Sequence, residues 1–326
     1  MHLILTEQNI RVGRYKNLFK ITSNNKILKT IPANKLTHII IFVQGFSISA
    51  EALQLSAENK ITLTICKPYG KPISIIQSPD IHPYIQVRWN QYKALQNGFG
   101  IEIVKKYIHS KIENQFQLLF RYKNYLPQIE PTYHQNIQPL IQKLKQISPS
   151  NIPNAQQKIM NIEAYASSLY WNFFKQLIPS QYNFTHRTHR HSKDPVNSAL
   201  NYGYGILYSE CYRALSTAGL DPYAGFLHAI QNNKQSLVFD FIEQFRQPLV
   251  DTPLLASLRQ GLNISIQKNG LLEKETQKRL STLYIERLYE NTSKDTNNTY
   301  QKIILQEAIK LAQYLNSSKQ THDHQQ

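Results

Sequence analysis

Two acidic residues lie three positions apart in a segment that is otherwise largely apolar. Asp240 and Glu243 belong to the sequence SLVFDFIEQFRQP, and on a helix this spacing places both carboxylates on one face. Two carboxylates on one face repel each other unless a cation lies between them. Arg246, three residues beyond Glu243, is one source of such a cation. A divalent metal ion is the other.

A third acidic residue, Glu163, is the one carboxylate in the aromatic-rich segment 151–174, whose pattern is helical. Ala166, Ser167 and Tyr170 follow it at helical spacing and share its side of the helix. A carboxylate among such core-type residues costs free energy unless it is paired or binds a metal. The alternative is a solvated glutamate in the first helical turn, stabilised by the helix dipole.

A histidine, His228, follows a turn rich in glycine and proline, residues 219–225, and two apolar residues. The turn comes after a helix that we predict to end near Ala218. A single histidine in apolar surroundings is more often a hydrogen-bonded core residue than a metal ligand. Combined with the carboxylates, however, one imidazole would complete a site for Mg²⁺ or Mn²⁺, with the choice tilted towards Mn²⁺. Phosphodiester chemistry can use such a site.

The charge of the chain is strongly positive: 37 Lys and Arg against 21 Asp and Glu, a formal net charge of +16. A surplus of this size indicates a polyanionic partner, either nucleic acid or an anionic membrane surface. The densest cationic run contains Arg187, Arg190 and Lys193, interleaved with three histidines. We predict that this run contacts phosphate, and a solvated basic loop is the alternative. A zinc site is disfavoured because no cysteine or regular ligand pair supports it.

The cysteines and the apolar runs bear on the compartment. Cys66 and Cys211 show no paired or metal-type spacing, so no disulfide framework is indicated and a reducing cytosol fits. The N-terminus does not resemble a signal peptide. The longest apolar stretch, residues 39–43, is far shorter than the roughly 20 residues that span a bilayer. We therefore expect a cytoplasmic protein without a membrane anchor.

The first part of the chain has the pattern of β-strands. Short runs rich in Ile, Thr, Val and Phe are separated by polar or Pro/Gly clusters, which is typical of strands and turns. The predicted strands are residues 3–5, 18–21, 27–31, 38–43, 61–66 and 73–76. One helix interrupts them, with Ser49 as its predicted N-cap.

The remainder of the chain has helical periodicity. Residues 77–83 contain two prolines and predict a linker between a β-rich domain, residues 1–76, and an α-helical catalytic domain, residues 84–316. Within the second domain, residues 127–153 predict one short helix with loose connections, and Asp194-Pro195 predicts a helix start. The polar tail, residues 317–326, is predicted to be disordered. The fold class is therefore α+β, a small β-rich domain followed by a larger all-α domain.

Several sequence blocks occur in one order along the chain. They are HIIIFVQGFSISAEAL, RWNQ, the aromatic segment around Glu163, DPVNSALNYGYGIL, AGLDPYAGFLH and SLVFDFIEQFRQP. In this order they resemble the CRISPR-associated spacer-acquisition endonuclease and integrase family, Cas1. The resemblance covers nearly the whole chain and is weakest in residues 127–153 and after residue 292.

The resemblance implies a specific site and reaction. It implies an N-terminal β domain, an α-helical domain, and a catalytic Mg²⁺ or Mn²⁺ site formed by Glu163, His228 and Glu243, with Asp240 as a further ligand or supporting group. Members of the family act as homodimers that join a smaller partner, Cas2. The complex inserts a short double-stranded DNA as a new spacer into the CRISPR array. In this reaction a 3′-hydroxyl attacks a phosphodiester of the repeat.

Two other functions compete with this interpretation. The first is a non-catalytic nucleic-acid-binding protein of the same fold, against which the intact set of two glutamates and a histidine argues. The second is a structural RNA-binding protein, which would have no need of the acidic pair. Arg187, Arg190, Lys193 and Arg246 are the predicted DNA contacts, although structural roles would also explain them. The histidine-rich run, residues 186–191, contains more histidine than the family leads us to expect.

Overall fold

The structure is a computed structural model that describes residues 1–42, 45–67, 72–78, 85–188, 194–227, 234–293 and 296–317. Three of the predicted site residues, His228, Arg190 and Lys193, lie outside the described residues. So do most of the predicted linker and residues 318–326 of the predicted disordered tail. Among the described helices, none combines the length and the apolar character needed to cross a bilayer.

The described part of the N-terminal region contains eight strands and one α-helix. They are β1 (His2–Leu5), β2 (Ile10–Tyr15), β3 (Leu18–Ser23), β4 (Lys26–Pro32), β5 (His38–Ile41), β6 (Ser47–Ile48), α1 (Ala50–Glu58), β7 (Thr62–Cys66) and β8 (Pro72–Ile76). One sheet has the order β4-β3-β2-β6, and the other has the order β1-β5-β7-β8. In the second sheet β1, β5 and β7 are parallel, and β8 pairs antiparallel with β7.

The local signals in this region are largely confirmed. The hydroxyl oxygen of Ser49 accepts a hydrogen bond from the backbone N–H of Ala52 at 3.2 Å, so Ser49 caps α1 as predicted. Strand β6, which has two residues, was not predicted, and neither was strand β2. Its alternation of the buried Ile10 and Val12 with polar residues is short, and Gly13 interrupts it.

The second region is mostly helical. Its elements are α2 (Ile85–Gln96), α3 (Phe99–Phe120), α4 (Ile129–Thr132), α5 (Gln138–Lys145), α6 (Ile152–Leu177), α7 (Pro195–Thr217), α8 (Ser236–Ile242), α9 (Thr252–Arg259), α10 (Lys274–Tyr289), β9 (Asn291–Ser293), β10 (Thr296–Thr299) and α11 (Tyr300–Ser317). The α+β class is thus confirmed, and the hairpin β9–β10 is an addition that the sequence did not predict. The prediction of one short helix with loose connections in residues 127–153 is wrong, because a wide helical turn at Tyr133–Ile137 joins α4 to α5 without a break.

Helix α7 forms the centre of the helical region. Asp194 caps it by accepting hydrogen bonds from the N–H groups of Val196 at 2.7 Å and Asn197 at 3.2 Å, and Pro195 occupies the first turn, as predicted. Nearly all of its residues are buried, as expected of a helix that packs on every side. At Gly203 a Cβ atom would lie 2.6 Å from the ring of Tyr284, so the close approach of α10 requires glycine there.

The sheet β1-β5-β7-β8 is covered on both faces. Alternate residues of a strand point to opposite faces, so Ile39 and Ile41 pack into the N-terminal core, while Ile40 and Phe42 pack into the helical core. The ring of Phe42 lies 4.6 Å from that of Tyr202 on α7, measured between centroids. The two regions therefore meet along a sheet face. The domain boundary at residues 77–83 stays a prediction.

Candidate active site

The two glutamates predicted as metal ligands come together at one cation. Glu163 lies in the middle of α6, and Glu243 begins the tight helical turn Glu243–Phe245 that follows α8. The ammonium group of Lys111, on α3, donates to Oε1 of Glu163 and lies 2.6 Å from Oε2 of Glu243. The alternative of a solvated first-turn glutamate is wrong, because Glu163 lies about three turns inside α6 and is ion-paired.

Lys111, which is 7% exposed, was not among the predicted site residues. Burial by itself would lower the pKa of this lysine, but the carboxylates of Glu243 and Glu163 outweigh burial and raise it. Lys111 is therefore charged and neutralises the two acidic groups jointly. A lysine at a buried position of an amphipathic helix was the signal that could have identified it.

Further hydrogen bonds orient Glu163. The hydroxyl of Ser167, one helical turn further along α6, donates to Oε1 of Glu163 at 3.0 Å. The side-chain amide of Gln115, on α3, donates to that hydroxyl oxygen at 3.2 Å. The carboxylate of Glu163 thus has partners on two helices, which limits its side-chain freedom before any substrate binds.

A second cation, Arg246, holds Glu243 from the other side. Its Nη2 lies 2.9 Å from Oε1 of Glu243, as the three-residue spacing predicted. The guanidinium carbon lies 4.8 Å from the ring centroid of Tyr204, whose hydroxyl donates to the buried carboxylate of Asp251. Burial raises the pKa of Asp251, although the hydroxyls of Tyr204 and Tyr170 act in the opposite direction. Arg246 is thus part of a buried network.

Asp240 supports the backbone next to His228. Its Oδ2 accepts hydrogen bonds from the N–H groups of Phe226 at 2.6 Å and Leu227 at 2.9 Å. Asp240 is 1% exposed, and a buried acceptor of this kind fixes the backbone strongly. His228 is the next residue of the chain, so Asp240 anchors the segment that leads into it.

The turn before His228 is fastened to α2 and α6 as well. The side-chain amide nitrogen of Gln91, on α2, donates to the carbonyl oxygens of Asp221 at 2.9 Å and Ala224 at 2.8 Å. Its oxygen accepts from the N–H of Asp221 at 2.8 Å. The amide of Gln156, two turns before Glu163 on α6, donates to the carbonyl oxygen of Phe226 at 2.7 Å. The face of α6 that carries Glu163 therefore also holds this turn.

The described part of the predicted DNA-contacting run is packed against the helical core. The guanidinium of Arg187 donates to the side-chain oxygens of Asn197 at 2.9 Å and Asn201 at 2.6 Å. It also lies between the rings of Trp171 and Tyr204, at 5.8 and 5.3 Å from their centroids. Burial lowers the pKa of Arg187. These contacts orient Arg187, and its binding to DNA stays a prediction.

A separate polar cluster lies where the N-terminal sheet meets α7. His2, His38 and Glu210 have ligand atoms that all lie within 4.8 Å of one another, so the group could hold a metal ion. Arg213, however, donates to both carboxylate oxygens of Glu210, at 2.9 and 2.5 Å. This fully buried cluster therefore offers a divalent ion a single carboxylate, both of whose oxygens are already paired with a guanidinium.

The donor set around Lys111 fits a hard divalent cation better. Two carboxylates, one from α6 and one from the turn after α8, converge there on a single ammonium group. Oxygen ligands with one imidazole suit Mn²⁺ or Mg²⁺. A carboxylate pair beside cationic side chains also suits a reaction at phosphate, where negative charge must be neutralised.

The comparisons with known proteins agree with each other on the family. The chain matches the family described as CRISPR associated protein Cas1 over residues 3–290. The CRISPR-associated endonuclease Cas1 2 of Pyrobaculum aerophilum is 31% identical over 286 residues, which are 88% of this chain and 91% of that protein.

Solved structures share the fold. A casposase bound to an integration product superposes with a TM-score of 0.82 at 22% identity, covering 97% of this chain and 91% of its own. The Cas6-RT-Cas1–Cas2 complex has a chain that superposes with a TM-score of 0.82 at 23% identity, covering 98% of this chain and 35% of its own. At 22% and 23% sequence identity, these superpositions show a shared fold and nothing further.

Proposed function

The chain belongs to the CRISPR-associated Cas1 family, and on that premise we propose that it is a metal-dependent DNA endonuclease and integrase of CRISPR adaptation. The observation that carries this proposal is the meeting of Glu163, on α6, with Glu243, after α8, at a single ammonium group. A protein that only binds nucleic acid gains nothing from a pair of carboxylates beside its basic groups, because these carboxylates repel phosphate.

The residues that would hold the ion are Glu163, Glu243 and His228. Mg²⁺ or Mn²⁺ bound there would act as a Lewis acid that polarises a phosphoryl oxygen and stabilises the leaving oxygen. Asp240 holds the backbone of Phe226 and Leu227, and therefore the approach of the chain to His228. We assign Asp240 to this positioning role.

The substrate in this proposal is double-stranded DNA. The formal charge of +16 supports attraction to its phosphates. In the integration step, the 3′-hydroxyl oxygen of the incoming strand bonds to a phosphorus of the CRISPR repeat, and the bond from that phosphorus to the repeat's own 3′-oxygen breaks. Arg187, Arg190, Lys193 and Arg246 are the proposed phosphate contacts.

The assembly in this proposal is a homodimer joined by the small partner Cas2. Its support is the family membership of the chain and the fold it shares with a chain of the Cas6-RT-Cas1–Cas2 complex. The two glutamates belong to one chain, so each protomer carries its own pair.

Strand transfer tests the proposed function directly. A labelled short duplex with free 3′-hydroxyls is incubated with a supercoiled plasmid carrying a CRISPR repeat, the protein and Cas2, in Mn²⁺, Mg²⁺ or EDTA. We expect metal-dependent label in the plasmid. Glu163→Gln and Glu243→Gln should reduce the label by more than the roughly 10- to 100-fold typical of a supporting residue, because each removes a ligand charge.

The matched control is Glu102→Gln, which neutralises a glutamate on α3 that pairs with Lys105. The Glu102→Gln variant should retain strand transfer. All three glutamine variants should bind duplex DNA with nearly wild-type affinity, because removing an anionic group does not weaken attraction to phosphate. Label that persists in EDTA or in both site variants would contradict the assignment. DNA binding without strand transfer in any metal would indicate a non-catalytic binder of the same fold.

A further inference from the structure

Lys111 has no part in the proposed chemistry, yet it lies at the centre of the site. Its ammonium group contacts Oε1 of Glu163 and Oε2 of Glu243, the two carboxylates proposed to bind the metal ion. Its neighbours on α3, Ile108 and Ile112, are buried in the helical core. A lysine so placed requires paired carboxylates, because an unpaired buried ammonium is strongly destabilising.

The charges of the cluster balance without a metal ion. Glu163 and Glu243 contribute two negative charges, and Lys111 and Arg246 contribute two positive charges. A divalent ion added beside an unmoved Lys111 would leave a surplus of two positive charges within hydrogen-bond distance of the same oxygens. Such like charges repel strongly at short range, and the burial of Lys111 and Glu243 reduces screening by water.

We propose that Lys111 is the resident counter-ion of the metal site: it holds the carboxylates of Glu163 and Glu243 together in the metal-free protein and must withdraw from them when the divalent ion binds. This inference rests on the proposed function in one respect, that the ion binds at these two carboxylates. The lysine suits the task because its ammonium is a compact charge on a flexible stem of four methylene groups. Arg246 is held by its cation–π contact with Tyr204 and keeps Glu243 oriented during the exchange.

Removing the ammonium group of Lys111 should have two effects: it should lower the stability of the metal-free protein and raise its affinity for the metal ion. The metal-free protein should be less stable, because a buried carboxylate, that of Glu243, and a partly buried one, that of Glu163, lose their shared cation. Metal affinity should rise, because the ion no longer competes with a cation for the same oxygen atoms. A lysine with a purely structural role would give the first effect without the second.

The test uses the full-length protein, freed of metal with a chelator and then exchanged into chelator-free buffer. Binding of Mn²⁺ is followed by the electron paramagnetic resonance signal of the free ion, and thermal unfolding is measured in EDTA and in saturating Mn²⁺. Lys111→Met should lower the melting temperature in EDTA, bind Mn²⁺ about tenfold more tightly or better, and show a larger Mn²⁺-induced rise in melting temperature than the wild type.

Two further variants keep the test decisive. Lys111→Gln retains a hydrogen-bond donor without the charge, so it should fold if the methionine variant does not, and it should also bind Mn²⁺ more tightly. Lys105→Met is the matched control on the same helix, because Lys105 pairs with Glu102 at 2.9 Å, a glutamate outside the site. It should bind Mn²⁺ with wild-type affinity.

Unchanged or weaker Mn²⁺ affinity in the folded Lys111 variants would overturn the inference, and so would failure of every protein to bind Mn²⁺. Tighter binding in these variants, together with a wild-type protein that binds Mn²⁺ but transfers no strand, would support the inference while contradicting the proposed function. The two failures are therefore distinguishable.

Discussion

At the scale of single residues, the side chains around the carboxylate pair have different tasks. Lys111 and Arg246 neutralise charge, and Ser167 hydrogen-bonds to one oxygen of Glu163. Asp240 accepts from two backbone N–H groups immediately before His228. A carboxylate with these partners orients a neighbouring residue, as groups behind metal ligands commonly do.

The positioning role of Asp240 can be separated from metal ligation by two substitutions. Asp240→Asn keeps an oxygen that can accept from the backbone, so strand transfer should fall by no more than about tenfold, whereas Asp240→Ala removes the acceptor and should cost about 100-fold. The measurement is strand transfer alongside Mn²⁺ affinity. Equal, severe losses of Mn²⁺ affinity in both variants would instead identify Asp240 as a ligand.

At the scale of elements, side chains from three helices hold the turn that follows α7. Residues 219–227 connect α7 to the segment containing His228, and side chains from α2, α6 and α8 bind the backbone of this turn. Gly225 packs against the start of α8, where a Cβ atom would lie 2.5 Å from the carbonyl carbon of Ser236. The turn therefore has a defined conformation, although it lies between helices.

Gln91 is the residue whose loss should release this turn from α2. Gln91→Leu leaves the carbonyls of Asp221 and Ala224 and the N–H of Asp221 without their side-chain partner, at a cost of roughly 3 kcal/mol in unfolding free energy. Urea unfolding measures this change, and Gln86→Leu is a control on the exposed side of α2. The strand-transfer activity of Gln91→Leu should fall by more than its loss of stability alone explains. A Gln91 variant as stable as the control would refute the fastening role.

At the scale of the whole molecule, a fully buried cluster lies between the N-terminal sheet and α7. Nε2 of His2 lies 2.7 Å from Oε2 of Glu210, and Nε2 of His38 lies 2.7 Å from the hydroxyl of Thr64. Burial by itself would raise the pKa of Glu210, but Arg213 and His2 hold it well below its usual range. Burial lowers the pKa of His38 to about 4, more than Glu210 can offset.

This cluster predicts that stability falls in mild acid. The folded pKa of His38, about 4, lies below the value of 6.5 expected in the unfolded chain, so the unfolded state binds the proton more readily below pH 6.5. The stability that neutral His38 contributes to the folded state is present above pH 6.5 and is lost as the pH falls towards 4. Between pH 7.5 and pH 5 it amounts to about 2 kcal/mol.

Unfolding in urea at these two pH values measures the effect. His38→Asn should reduce the pH dependence by about that amount, whereas His134→Asn, at an exposed position, should leave it unchanged. An unaltered pH dependence in His38→Asn would show that the loss of stability in acid originates elsewhere.

Much of the local structure followed from the sequence. Alternating apolar residues predicted most N-terminal strands, and Ser49 and Asp194 marked the starts of α1 and α7, because strand patterns and helix caps depend on nearby residues. Strands β2 and β6 and the hairpin β9–β10 were missed, since their apolar patterns are short or absent. The acidic candidates were singled out because carboxylates among core-type residues are expensive to bury, and their role as metal ligands stays a prediction.

The sequence by itself thus determined the secondary structure pattern, the charge and the acidic candidates, all of which depend on local composition. Only the tertiary structure decided that one lysine pairs with both Glu163 and Glu243. Lys111 precedes Glu163 by 52 residues, and no local pattern links the two. It also decided that Asp240 binds backbone and that one N-terminal sheet face packs on the helices, because these contacts depend on how distant elements approach each other in the folded chain.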